Sequence, residues 1–98
     1  MKIITVCGSL KYQEQIMKIT EEYALRGHCM LSIVYPTKQI EKYTKEEIEL
    51  LGNLHKERIK ISDAILVANI DNYVGKKTQE EIEYAKSLNK EIIYYKNR

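Results

Sequence analysis

Toward its end the chain reads VGKKTQEEIEYA, from Val74 to Ala85, setting a glycine, two lysines and a threonine ahead of an acidic, apolar-periodic run. Glu81 stands three residues after Thr78, the spacing of a capping box. That spacing predicts a helix beginning at Thr78, with the Glu81 carboxylate reaching back to the Thr78 N–H and favoured there by the helix dipole. A carboxylate that also faces a ligand crevice has a second chemistry open to it. It can attack the anomeric carbon of a sugar through an oxocarbenium-like transition state, giving a glycosyl ester that water or another base resolves. Neither role excludes the other.

Two further stretches offer ligand-binding groups. In CGSLKY, Gly8 supplies a sharp turn and Ser9 a hydroxyl beside a helix N-terminus whose free N–H groups attract a phosphate or carboxylate. The same two residues can equally just turn the chain and cap the helix. The stretch from Asn69 to Thr78 gathers Asn69, Asp71, Asn72, Gly75, Lys76, Lys77 and Thr78 ahead of another helix start. It suits a polar ligand or, alternatively, a solvated connection rich in turn residues. Cys7 ends a strand-like run and reads as a buried, inert thiol.

The elements that must position these groups follow from periodicity. Ile3 to Cys7 is a β-branched run stopped by Gly8, hence a buried strand. Residues from about Tyr12 to Arg26 set Ile16, Ile19, Tyr23 and Ala24 on one helical face, and Gly27 is a C-terminal stop. Cys29 to Val34 predicts a second strand, ended by Tyr35-Pro36. Thr44 and Glu47 form a capping box, after which Ile48, Leu51 and Leu54 carry a helix toward Ile61, with Gly52-Asn53 as a candidate break. Ala64 to Asn69 is a third strand. The Thr78 helix turns Ile82, Ala85 and Leu88 inward, and Glu91 to Tyr95 is a fourth strand.

Strands alternating with helices imply right-handed crossovers and a parallel sheet covered on both faces. The expectation is a single doubly wound α/β domain, with three helices and a four-stranded sheet of flavodoxin-like order 2-1-3-4. Its ligand crevice then lies beyond the carboxyl ends of strands one and three. The loops after those strands are the two stretches above.

Composition narrows the function classes. With 98 residues, 44% of them hydrophobic, and no Pro-, Gly- or Ser-rich linker, the chain is read as one domain. Its longest apolar runs are too short to cross a bilayer, so a soluble, cytoplasmic protein without membrane contact is expected. Cys7 and Cys29 form neither a CxxC pair nor a His/Cys cluster, so no disulfide, metal or cofactor is expected. The net charge of +2 comes from lysines scattered among glutamates, which disfavours binding to a nucleic-acid polymer.

VCGS after the first strand, ISDAILVANI leading out of a helix and TQEEIEYAKSLNKEIIYY at the end together resemble the nucleoside 2-deoxyribosyltransferase-like superfamily, which includes deoxynucleoside 5′-monophosphate N-glycosidases. The resemblance spans nearly the whole chain through short motifs. It implies that the Gly8-Ser9 loop lies at the substrate, that Asp63 opens strand three, and that Glu81, in EIEYA, is the nucleophile. It also implies a nucleoside or nucleotide substrate and a homodimer. Where such enzymes have a tyrosine three residues before the strand-one glycine, this chain has Thr5; where they have an aspartate eight residues before Asp63, it has His55. If Asn53 caps a fresh helix, His55 sits near the crevice as a substitute acid/base; if the helix is continuous, His55 is buried within it. Lys76 and Lys77 suit a 5′-phosphate. The alternative in a different class is a noncatalytic nucleotide-binding or sensing module using the same crevice.

Overall fold

The computed structural model describes residues 1–96. Four strands, β1 (Ile3–Cys7), β2 (Cys29–Leu31), β3 (Ala64–Val67) and β4 (Glu91–Tyr94), form one sheet of order β2-β1-β3-β4 in which every neighbouring pair is parallel. With helices α1 (Gln13–Leu25), α2 (Lys45–Ile61) and α3 (Lys76–Ser87), this is the expected doubly wound α/β domain. Among the described residues no helix is long and apolar enough to cross a membrane.

The alternation of strand side chains divides the interior into two cores. Ile4 and Val6 of β1 join Ala64 and Leu66 of β3 beneath Ile16 and Ile19 of α1. Cys7, Ile65 and Val67 face the other way, onto Ile59 of α2 and Ile82 and Ala85 of α3. Cys7 therefore shares a sheet face with the two helices that carry His55 and Glu81. Thr5 is on that face too, fully buried, with its hydroxyl 2.6 Å from Ser62 Oγ. Ser62 Oγ in turn donates to the Arg58 carbonyl at 2.7 Å, so Thr5 is the donor of the first bond and ties β1 to the end of α2.

α1 stops as expected. Gly27 takes φ 95°, its N–H donates to the Ala24 carbonyl and the His28 N–H to the Tyr23 carbonyl, which is a Schellman turn. Ile16 and Ile19 are buried, whereas Ala24 faces solvent. α2 begins at the expected capping box: the Glu47 N–H donates to Thr44 Oγ1 at 3.0 Å and the Thr44 N–H to Glu47 Oε1 at 2.8 Å. It then runs unbroken through Gly52-Asn53, because neither residue turns out of helical geometry and the inward stripe continues past them. That stripe is Ile48, Leu51, His55 and Ile59, and Leu54 is 43% exposed. Ile48 to Leu51 is already a step of three, so a step of four from Leu51 brings His55 back to the stripe, whereas a second step of three carries Leu54 off it.

α3 corrects the expected second capping box. The helix starts at Lys76 with Gly75 as its N-cap, so Thr78 is already its third residue and Glu81 lies in the second turn, beyond the reach of any N-cap role. Gly75 adopts φ −72° and ψ 170°, an ordinary N-cap geometry, and the Tyr73 hydroxyl lies 3.2 Å from where a Cβ would stand. The edge strand β2 is also shorter than expected. It leaves the ladder after Leu31, and the following residues, Ile33, Val34 and Pro36, bend over the carboxyl end of the sheet. β3 and β4 end at Val67 and Tyr94, so Asn69 and Tyr95 lie just beyond their strands.

Candidate functional site

A cleft of about 730 Å³ opens at the carboxyl ends of β1 and β3, where the strand order reverses. Gly8 and Ser9 form one edge and the start of α3, Gly75 to Thr78, forms another. Ile33, Pro36, Tyr43, Ile48 and Leu51 supply an apolar wall, while Glu49, His55, Lys56, Arg58, Glu80 and Glu81, with Lys76 and Lys77 at the start of α3, supply ionisable groups. Gly8 is required by close packing: an added Cβ would stand 3.0 Å from Ile16 Cδ1 and 3.2 Å from Ala68 Cβ. The two loops are clasped at the mouth, where Lys11 Nζ lies 3.9 Å above the Tyr73 ring and the Tyr12 and Tyr73 ring centres are 6.2 Å apart.

Eight of the ten site residues expected from sequence meet at this cleft: Gly8, Ser9, His55, Gly75, Lys76, Lys77, Thr78 and Glu81. Two do not. Asn69 is fully buried and turned to the chain terminus: its Nδ2 donates to the Lys96 carbonyl at 3.1 Å and its Oδ1 accepts from the Lys96 N–H at 2.9 Å. Asp71 is exposed in a turn at φ 53° and accepts from Tyr12 Oη at 3.5 Å, outside the cleft lining. Asp63 belongs to the opposite end of the sheet, where its carboxylate accepts the Ile3 N–H at 2.8 Å. Thr5, too, is structural rather than cleft-lining.

His55 and Glu81 line the cleft floor, and Cys7, fully buried, stands behind them, so that three elements bring three side chains together. His55 Nε2 lies 3.6 Å from Cys7 Sγ and 3.9 Å from Glu81 Oε1, and the sulfur, the ring nitrogen and a carboxylate oxygen all lie within 4.8 Å of one another. Cys7 and His55 are buried, and the Glu81 side chain retains 22% of its exposure, on the cleft side. Nothing in the spacing of Cys7, His55 and Glu81 announces this meeting. It arises because residue 7 ends a strand, residue 55 lies on the inward stripe of an unbroken α2, and α3 begins early enough to carry residue 81 a full turn inward. Arg58, one turn after His55, was equally unmarked in the sequence, and its Nη1 lies 3.2 Å from His55 Nδ1.

Burial dominates the electrostatics. It pushes Glu81 up to about 7; the Cys7 hydrogen bond and the Lys77 and Lys56 charges oppose the rise, and Glu80 adds to it. It pushes His55 down to about 4, with help from the Arg58 charge. The Cys7 thiol is raised by burial and then by the neighbouring Glu81. At neutral pH, then, His55 is neutral, Cys7 is a thiol and Glu81 is about half ionised. His55 and Glu81 are near neighbours without being a standing ion pair.

Sulfur, imidazole nitrogen and carboxylate oxygen within 4.8 Å of one another are also a donor set for a soft or borderline divalent cation. The outer contact does not fit that use. A guanidinium only donates, so Nδ1 of His55 must accept from Arg58 and the ring proton must sit on Nε2, the nitrogen a cation would need. The cluster is built for hydrogen bonds. No family model, no curated protein and no solved structure matches the chain.

Proposed function

We propose that this protein binds a (deoxy)nucleoside or nucleoside 5′-monophosphate and cleaves or transfers at its N-glycosidic bond, with Glu81 as the nucleophile. The observation that carries the reading is a single carboxyl group, Glu81, partly buried on the floor of a cleft at the switch point of the sheet and poised to ionise near neutral pH. In the proposed step one Glu81 oxygen bonds to the anomeric carbon as the C–N bond breaks. The electron pair of that bond leaves with the base, which takes up a proton, and water or a second base later displaces the carboxylate.

The surroundings support such a ligand. The apolar wall of Ile33, Pro36, Tyr43 and Leu51 suits a base. α3 has two lysines and no acidic residue in its first turn, so its positive dipole end and its side chains repel one another until an anion arrives. A 5′-phosphate is an anion of the right kind. By the same reading the protein is a homodimer in the cytoplasm, where the free thiols Cys7 and Cys29 would remain reduced.

One observation favours the noncatalytic alternative. His55, the expected acid/base, is buried with its affinity for protons lowered to about 4, and so has no proton to give a leaving base at neutral pH. The discriminating experiment is chromatographic detection of free base after incubating wild type and Glu81→Gln with a panel of nucleosides and 5′-monophosphates. Release by wild type alone supports the glycosidic reading. Saturable ligand binding with no release by either protein replaces it with the binding module.

A further inference from the structure

We infer that Arg58 is a positioning residue that locks His55 in its Nε2–H tautomer, turning His55 and Cys7 into a one-way array of hydrogen-bond donors ending on Glu81. The polarity follows from one group that cannot reverse. The Arg58 guanidinium has only N–H bonds to offer, and its Nη1 is 3.2 Å from His55 Nδ1. With Nδ1 accepting, the neutral ring holds its single proton on Nε2, which lies 3.6 Å from Cys7 Sγ and 3.9 Å from Glu81 Oε1. The Cys7 sulfur, accepting from His55, has its own S–H left to offer the Glu81 carboxyl, which lies within 4.8 Å of it. Each proton in the series points toward Glu81. With the opposite tautomer, an Nδ1–H would face a guanidinium N–H, and Nε2 would present a lone pair to the carboxylate.

Donors aimed at a carboxylate favour its ionised form, against the desolvation that favours the neutral one. Every charged or titratable neighbour of Glu81 enters this balance: Cys7 from β1, His55 and Lys56 from α2, and Lys77 and Glu80 from α3. The contact of Arg58 within this cluster is with the ring of His55, and it is through that ring that it is proposed to act on Glu81. Its bearing on catalysis rests on the glycosidic reading above, whereas the tautomer and its effect on Glu81 need no substrate.

The test is nuclear magnetic resonance on isotopically labelled wild type, Arg58→Met and Arg58→Lys. Ring ¹⁵N shifts report the His55 tautomer, and the side-chain ¹³C shift of Glu81 reports its titration. Wild type is expected to hold the Nε2–H tautomer throughout neutral pH. Arg58→Met should mix the two tautomers and move the Glu81 midpoint upward, by about one pH unit for the loss of an oriented donor. Arg58→Lys, which keeps a donor, should recover part of both effects. A wild-type Nδ1–H tautomer overturns the inference, as does an Arg58→Met protein with reduced stability but unchanged tautomer and midpoint. Should Arg58→Met fail to fold, His55→Gln and His55→Leu decide: glutamine, which retains an amide donor, should keep the Glu81 midpoint close to wild type, and leucine should raise it. Binding of added Zn²⁺ with displacement of the Nε2 proton in wild type would also overturn it. Absence of base release together with the expected tautomer would remove the glycosidic reading and leave this one standing.

Discussion

Nε2 of His55 lies 3.9 Å from Oε1 of Glu81, and burial drives the two groups toward neutrality from opposite sides. Glu81 binds its proton more tightly in the folded chain, at about 7 against an ordinary 4.5, so its stabilising effect is complete below pH 4.5 and is lost as pH rises through 7. His55 binds its proton less tightly, at about 4 against 6.5, so its effect is complete above pH 6.5 and is lost as pH falls through 4. Between pH 4.5 and 6.5 the two slopes oppose each other. Wild type should therefore show little pH dependence from this pair. Glu81→Gln, leaving His55 alone, should lose stability as pH falls from 6.5 to 4, and His55→Gln should lose it as pH rises from 4.5 to 7, each by on the order of 3 kcal/mol. Urea midpoints measured across this range check the prediction, and three parallel curves would refute it.

Asn69 separates stability from binding. Its side-chain amide makes both hydrogen bonds to the Lys96 backbone and lies away from the cleft. Asn69→Ala should lower stability by about 1–2 kcal/mol, through two lost bonds and an empty volume at the end of β3. Its ligand affinity should equal that of wild type. Denaturation and binding titrations on the same variant test both halves, and weakened binding in a fully folded protein would return Asn69 to the site.

The sheet order was legible in the sequence because four short apolar runs alternate with three amphipathic ones, and the switch point follows from that order. The cleft residues from Gly75 to Thr78, with Glu81, were legible for the same reason. What periodicity misjudged was local. Thr78 and Glu81 have capping-box spacing, yet Gly75 beneath the Tyr73 ring takes the N-cap position first and starts the helix earlier. Asn69 resembles a ligand-binding amide in a polar loop, and only the course of the chain after β4 gives it a backbone partner. Cys7, His55 and Arg58 come together through the packing of α2 on β1, for which a sequence carries no spacing.

Gly52 predicts a stabilising change. It sits inside an unbroken α2, and a Cβ added there would have no neighbour within 4 Å. Glycine in a helix interior costs up to about 1 kcal/mol relative to alanine through backbone entropy. Gly52→Ala should raise the thermal midpoint, with a stability gain of about 0.5–1 kcal/mol. A loss instead would mean that α2 bends at Gly52-Asn53 in solution, which would move His55 relative to Glu81.

Gly75 and Tyr73 should behave as a coupled pair. At φ −72° and ψ 170° alanine fits the Gly75 backbone without strain, so the cost of Gly75→Ala comes from its methyl group meeting the Tyr73 ring, with the hydroxyl 3.2 Å away. Displacing that ring also releases the Lys11 ammonium 3.9 Å above it, and with it the clasp between the two loops. Gly75→Ala alone should destabilise by about 1 kcal/mol and weaken ligand binding, part of the stability loss reflecting the poorer N-cap. In a Tyr73→Ala background the three atoms nearest the added methyl group are gone, and the same substitution should cost little beyond that N-cap share. A double-mutant cycle in urea measures the difference as a coupling energy. Zero coupling would show that the loops do not meet through Tyr73, and that the mouth of the cleft is set by the helix start alone.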